Sequence, residues 1–245
     1  MGQVAAFVSG KGGTGKTTLC AAVAGALAKA GQRVLCIDLD VGLRNLDIPL
    51  GMRDEASVSF SDVMEGRSTL SQSPAHPLLP GLQLLTAPVA IGPEDIDEDH
   101  FYALLAQAKE AFDWVLLDAP AGIGAGFRLA VRRASRTIVV TQADPACLRD
   151  AERAGTLARK YGPQWVRVAV NRVDAKLYRR LFTNVDDIMD AVGLPLLGLV
   201  PEAADVIIAA TRGVPLCNVA SCLAAVACRN IARRLAGENV PLAMR

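Results

Sequence analysis

The feature that most constrains this chain is the run Gly10-Lys11-Gly12-Gly13-Thr14-Gly15-Lys16-Thr17-Thr18, set between a short apolar stretch and a longer segment with helical spacing. Gly10, Gly15, Lys16 and Thr17 satisfy G-x-x-x-x-G-K-[ST], a pattern that works only between a strand and a helix. Glycines permit the positive-φ turns that aim consecutive backbone N–H groups inward, and a helix opening near Lys16 adds its positive dipole end. The run therefore predicts a phosphate cradle. Lys16 is expected on the β- and γ-phosphates, Thr17 on Mg²⁺ and Thr18 on a more proximal phosphate. A plain strand-to-helix turn needs none of these polar groups. The second lysine, Lys11, would only repel Lys16 unless a polyanion lay between them.

The remaining sequence suits such a loop. Half of the 245 residues are hydrophobic (51%) but only 4% are aromatic, so the core must be built from Ala, Val, Leu and Ile, as in sheets covered on both faces. Short aliphatic runs recur between segments of helical period. Strands are expected near residues 4–9, 33–38, 82–86, 114–118, 137–141, 166–171 and 196–200. The clearest helices are expected over 16–30, 97–111, 145–160 and 219–235. The fold class this predicts is α/β, a doubly wound and mostly parallel sheet in a single domain spanning 1–245, with ligands at the carboxyl ends of the strands. Residues 71–81, with Pro74, Pro77 and Pro80, read as a surface loop.

Two strands end in acids. Asp38-Leu39-Asp40 closes the second, and alternation puts both carboxylates on one side, where they can hold Mg²⁺ or orient water at a γ-phosphate. Trp114 to Asp118 is a hydrophobic strand ending in an acid, followed by Ala119-Pro120-Ala121-Gly122. Asp118 is expected to approach Mg²⁺ through water, and the Gly122 N–H to face the γ-phosphate.

These motifs together resemble the MinD/ParA family of deviant Walker A P-loop ATPases. Lys11 with Lys16 matches the family's two-lysine loop, in which the extra lysine reaches across a dimer to the partner's nucleotide. The resemblance implies ATP and Mg²⁺ as cofactors, with ATP sandwiched in an ATP-dependent homodimer. Residues 41–47, Val-Gly-Leu-Arg-Asn-Leu-Asp, are similar to the MinD switch I, which makes Asp40 the water-activating aspartate and groups it with Lys11 and Lys16 as catalytic. The Asp-x-Pro-Ala-Gly-Ile run is similar to switch II, and these two runs favour a MinD-like over a ParA-like relationship. Asn171-Arg172-Val173-Asp174 resembles the guanine reader of GTPases apart from Arg172; within the MinD/ParA group an asparagine at this strand end reads adenine instead, with Arg172 beside the base. Pro201-Glu202 resembles the family's Pro-Glu-Asp base loop, with Ala203 in place of its last acid. By this resemblance the function is an ATPase acting as a positional switch in division-site selection, with a division-inhibitor or activator protein as partner. The alternatives within the superfamily are a DNA-partitioning ATPase and one serving flagellar number or metal-cluster assembly.

A net charge of +1 gives no general attraction to nucleic acid or anionic lipid, and the clusters Arg128, Arg132, Arg133, Arg136 and Arg229, Arg233, Arg234 read as solvated helix faces. The six cysteines lack metal or redox spacing and read as reduced core thiols. No run approaches the roughly 20 apolar residues of a membrane span, and no charged segment precedes an apolar one at the start, so a cytoplasmic location is expected, with peripheral attachment at the inner face of the cell membrane as the alternative. MinD proteins carry a terminal amphipathic segment; residues 237–245 contain Pro241 and a single basic residue, so no membrane association through the tail is expected.

Overall fold

A computed structural model describes residues 1–55, 57–89, 92–174 and 184–242. The last three residues of the tail considered above, Ala243, Met244 and Arg245, lie outside them. The strands are β1 (Gln3–Val8), β2 (Val34–Asp38), β3 (Ala75–His76), β4 (Leu79–Leu85), β5 (Trp114–Asp118), β6 (Arg136–Thr141), β7 (Val166–Val173) and β8 (Leu196–Pro201). The helices are α1 (Lys16–Lys29), α2 (Asp47–Leu50), α3 (Phe60–Met64), α4 (Glu98–Ala111), α5 (Ala125–Arg132), α6 (Pro145–Tyr161), α7 (Val185–Val192), α8 (Ala204–Thr211) and α9 (Leu223–Leu235).

The strands form one sheet in the order β3-β4-β2-β5-β1-β6-β7-β8, and every neighbouring pair is parallel except β3 with β4. Alternation along β1 explains the two layers. Ala5 and Phe7 face α1, α2, α8 and α9, whereas Val4, Ala6 and Val8 face α3 to α7. Both faces are thus buried, as the aliphatic composition requires. From β1 the chain winds first toward β2 and β4, then returns through β5 and continues to β6, β7 and β8. The reversal brings the carboxyl ends of β1, β2, β5 and β6 around one crevice, the place where such sheets take their ligands.

Two expectations need correction. The proline-rich segment 71–81 is a hairpin rather than a loop: β3 pairs antiparallel with β4, and β4 begins at Leu79, ahead of the expected residue 82. Pro80 is tolerated because β4 pairs with β2 only from Leu82 onward, so no ladder N–H is missing. The last helix begins at Leu223, four residues later than expected. A short 3₁₀ turn at Leu216–Asn218 and the positive φ of Ser221 (61°) break the helical path before it.

Among the described residues no helix is long and apolar enough to cross a membrane.

Candidate functional site

The Gly-rich run joins β1 to α1 as the motif requires. Gly13 and Gly15 hold φ of 81° and 85°, and a side chain at Gly15 would in addition collide with the Asn171 amide. Only glycine meets both conditions there. A side chain at Gly10 would likewise strike the Asp150 backbone, so the loop packs directly against the start of α6.

Lys16 is buried, and its Nζ lies 2.7 Å from Asp118 Oδ1 and 3.2 Å from Thr17 Oγ1. The loop lysine, the β5 acid and the first helical hydroxyl therefore meet at one point. The second oxygen of Asp118, Oδ2, is buried without a hydrogen-bond partner among the described residues, as is Thr14 Oγ1. Burial pushes the Asp118 carboxyl above its usual range; the Lys16 charge pulls it back and the Asp40 charge adds to the rise. Such a carboxylate is poised to accept another cation or donor.

Asp38 and Asp40 have separated roles in the geometry. Both oxygens of buried Asp38 are engaged by backbone: Oδ1 accepts from the Asp40 N–H at 2.9 Å, and Oδ2 from those of Asn45 and Leu46 at 3.0 and 3.1 Å. Asp38 thus folds the 40–46 turn around itself. Burial first, then the charge of Asp118 on the next strand, pushes its carboxyl up to about 6, against the pull of the three backbone donors. Half-buried Asp40 is left facing the site. Its carboxyl is raised by burial and drawn back by Lys16.

Gly122 departs from expectation. At φ 88° its N–H donates to the Ser9 carbonyl at 3.0 Å, which ties the segment after β5 to the end of β1 instead of presenting that N–H to a phosphate.

Beyond the loop, a cleft of about 290 Å³ opens between the ends of β7 and β8, lined by Asn171, Arg172, Pro201, Glu202 and Ala203 with apolar residues of α8 behind them. Asn171 Nδ2 donates to the Thr14 carbonyl at 2.9 Å. Arg172, with φ 56°, is turned onto Glu202, its Nε 2.9 Å from Oε2. Lys11 stands apart: it is exposed and makes no hydrogen bond or ion pair among the described residues. Its charge is felt at the Cys147 thiol and at Asp144, whose carboxyl is held low chiefly by hydrogen bonds from Cys147 and, to a lesser degree, by Lys11. Thr18 and Gly12 complete the loop, Thr18 at the cleft and Gly12 exposed.

One contact was not expected from the sequence. Gln142, just past β6, donates from Nε2 to the Gly13 carbonyl at 2.9 Å. Nothing in a lone glutamine after a buried strand signals such a contact; it appears only when the sheet order sets β6 beside β1.

The family model of the CobQ/CobB/MinD/ParA nucleotide binding domain matches residues 5–216. The septum site-determining protein MinD of Bacillus subtilis is 37% identical over 99% of this chain and 92% of its own length, and that of Synechocystis sp. 36% identical over 98% and 92%. The chain belongs to the MinD family of ATPases. Solved structures agree with this. The MinC:MinD cell division protein complex of Aquifex aeolicus superposes with a TM-score of 0.91 at 34% identity, covering 99% of both chains. MinD of Pyrococcus horikoshii complexed with Mg-ADP gives 0.82 at 27% identity over 96% of both. The loop, the acids at the ends of β2 and β5 and the cleft beside β7 accordingly sit on a MinD-family fold over nearly their whole length.

Proposed function

We propose that this chain is a Mg-ATP-dependent positional switch in division-site selection, dimerising when it holds ATP and dissociating after hydrolysis. The observation that carries the proposal is Lys11: a cation inside the phosphate loop that is exposed and has no hydrogen-bond or ion-pair partner among the described residues. A second subunit's nucleotide is the anion that would give it one. The Mg-ADP bound by the Pyrococcus horikoshii protein and the MinC held by the Aquifex aeolicus protein support the ligand and a division-inhibitor partner.

The chain's own residues suit the chemistry. Lys16 can exchange the Asp118 oxygen for the β- and γ-phosphate oxygens, which are the stronger charge. Thr18 donates to the phosphate nearest the ribose. The residues that would hold Mg²⁺ offer hard oxygen throughout: Thr17 Oγ1, Asp118 and Asp40, with Asp38 holding the turn that presents Asp40. The unpartnered Asp118 Oδ2 fits that assignment. When bound, Mg²⁺ neutralises charge on the β- and γ-phosphates. Asp40 orients the attacking water, and burial, by raising its carboxyl, makes it a better acceptor for that water's proton. Lys11 of one subunit stabilises charge on the phosphoryl group bound by the other, so turnover requires the pair.

Base choice follows from the Asn171 amide. Its Nδ2 is committed to Thr14, which leaves Oδ1 as an acceptor. An acceptor welcomes the 6-amino group of adenine and opposes the 6-oxo group of guanine. Arg172, fixed by Glu202, supplies one face of the cleft, with Pro201 at its rim.

The test is turnover by Lys11→Ala. Nucleotide binding by the isolated subunit is expected to stay within about threefold of the parent while ATPase activity falls by at least about tenfold. Unchanged activity would refute the shared site.

A further inference from the structure

We infer that Gln142 is a positioning residue for the phosphate loop, setting the direction of a backbone donor that holds nucleotide phosphate. The inference rests on the reading that residues 10–18 hold those phosphates. In a trans peptide the carbonyl and the following N–H point in opposite directions. Fixing a carbonyl on one side of the chain therefore fixes the next N–H on the other.

The loop has two such fixed units in succession. Asn171 Nδ2 holds the Thr14 carbonyl at 2.9 Å, and this orients the Gly15 N–H. Gln142 Nε2 holds the Gly13 carbonyl at 2.9 Å, and this orients the Thr14 N–H. The two amides come from the ends of adjacent strands, β6 and β7. Each N–H is thus turned away from the amide that holds the carbonyl of its own peptide unit. With Gly13 and Gly15 both at positive φ, the Gly13–Thr14 and Thr14–Gly15 peptides sit in a backbone that glycine leaves free to rotate. Without an external donor to hold its carbonyl, a glycine-flanked peptide flips at little cost, and that carbonyl would then face the phosphate.

Gln142 is itself well placed to act as a lock. Thr141 Oγ1 donates to the Gln142 and Cys147 carbonyls, both at 3.0 Å, which ties the end of β6 to the first turn of α6. The Gln142 side chain is partly exposed and has no other hydrogen bond among the described residues. A role in general stability is therefore small, and the bond's effect falls on the loop.

The experiment compares the full chain with Gln142→Met, which keeps the length and removes the donor, and with Gln142→Ser, which is too short to reach. Three readouts are taken: ADP affinity by equilibrium titration, competition by inorganic pyrophosphate, which has phosphates and no base, and steady-state kinetics with Mg-ATP. Both variants should weaken ADP and pyrophosphate by the same factor, about three- to tenfold, and raise KM by that factor with kcat within about twofold, the pattern of lost uniform binding. The melting temperature without nucleotide should stay within about 2 °C of the parent, as for a surface hydrogen bond. Parent-like ADP affinity in both variants would overturn the inference. So would weakened ADP with unchanged pyrophosphate, which would place the effect at the base, or a large loss of melting temperature in both, which would make the role structural. If the parent itself bound neither ADP nor pyrophosphate, the nucleotide reading would fail first, and that result is distinct from the others.

Discussion

Replacing Lys16 with methionine should destabilise the nucleotide-free protein as well as abolish nucleotide binding. The Lys16 ammonium is 2.7 Å from Asp118 Oδ1, with side-chain exposures of 7% and 1%. At that burial the pair is not screened by solvent, and removing one member strands the other. Breaking a buried pair costs about 3–5 kcal/mol, because the remaining charge is uncompensated. For a chain of this size that corresponds to a fall of about 10 °C in melting temperature. The deficit should depend on pH in a definite sense. Burial already raises the Asp118 carboxyl, and loss of the ammonium removes the opposing pull. A group whose folded-state pKa is raised contributes stability that is complete below its unfolded pKa and lost as pH rises through the folded value. The Lys16→Met deficit should therefore grow as pH rises from 5 to 8. Adding Asp118→Asn to Lys16→Met should recover part of the loss, since no buried charge then remains. Urea unfolding of the four proteins of this cycle at pH 5 and pH 8 measures it. A Lys16→Met protein within about 1 kcal/mol of the parent at pH 8 would refute the claim that the two groups depend on each other.

Two further outcomes follow from the same geometry. Asn171→Ala removes both the Thr14 lock and the Oδ1 acceptor, so ATP affinity should fall by about tenfold and the preference for ATP over GTP should shrink toward one; competition titrations read both, and an unchanged ratio would free Asn171 of base reading. Asp38, pushed up to about 6 by burial and Asp118, makes a contribution to stability that declines as pH rises from about 4 through 6, by at most about 3 kcal/mol, and urea midpoints of the nucleotide-free protein should show the decline. Asp38→Asn should flatten that profile, and a parent profile with no slope in this range would contradict the assignment.

Much of the fold was legible because its determinants are local. The aliphatic strands β1, β5 and β6 and the helices α1, α4 and α6 carry their own period, caps and breakers, and the expected bounds of each lie within a residue or two of those observed. What failed depends on pairing or on one backbone angle. The β3–β4 hairpin hides behind prolines that are harmless only because the ladder to β2 starts later, and the start of α9 is set by the positive φ of Ser221. The candidate site divides the same way. The Gly-Lys-Thr run and the terminal acids of β2 and β5 announce their chemistry in residue type. The Asp38 carboxylate binding its own turn, the Gly122 N–H on Ser9 and the Gln142 amide on Gly13 are properties of strand ends brought side by side, and no spacing along the chain encodes them.

An ATP-driven switch requires that the exposed Lys11 complete a second subunit's site. Light scattering coupled to size exclusion, with Asp40→Ala to block hydrolysis, tests this most directly. Mg-ATP should convert the protein to a dimer, Mg-ADP should leave a monomer, and Lys11→Ala introduced beside Asp40→Ala should abolish the ATP-dependent dimer. A monomer under both nucleotides, or a dimer indifferent to both nucleotide and Lys11, would contradict the switch.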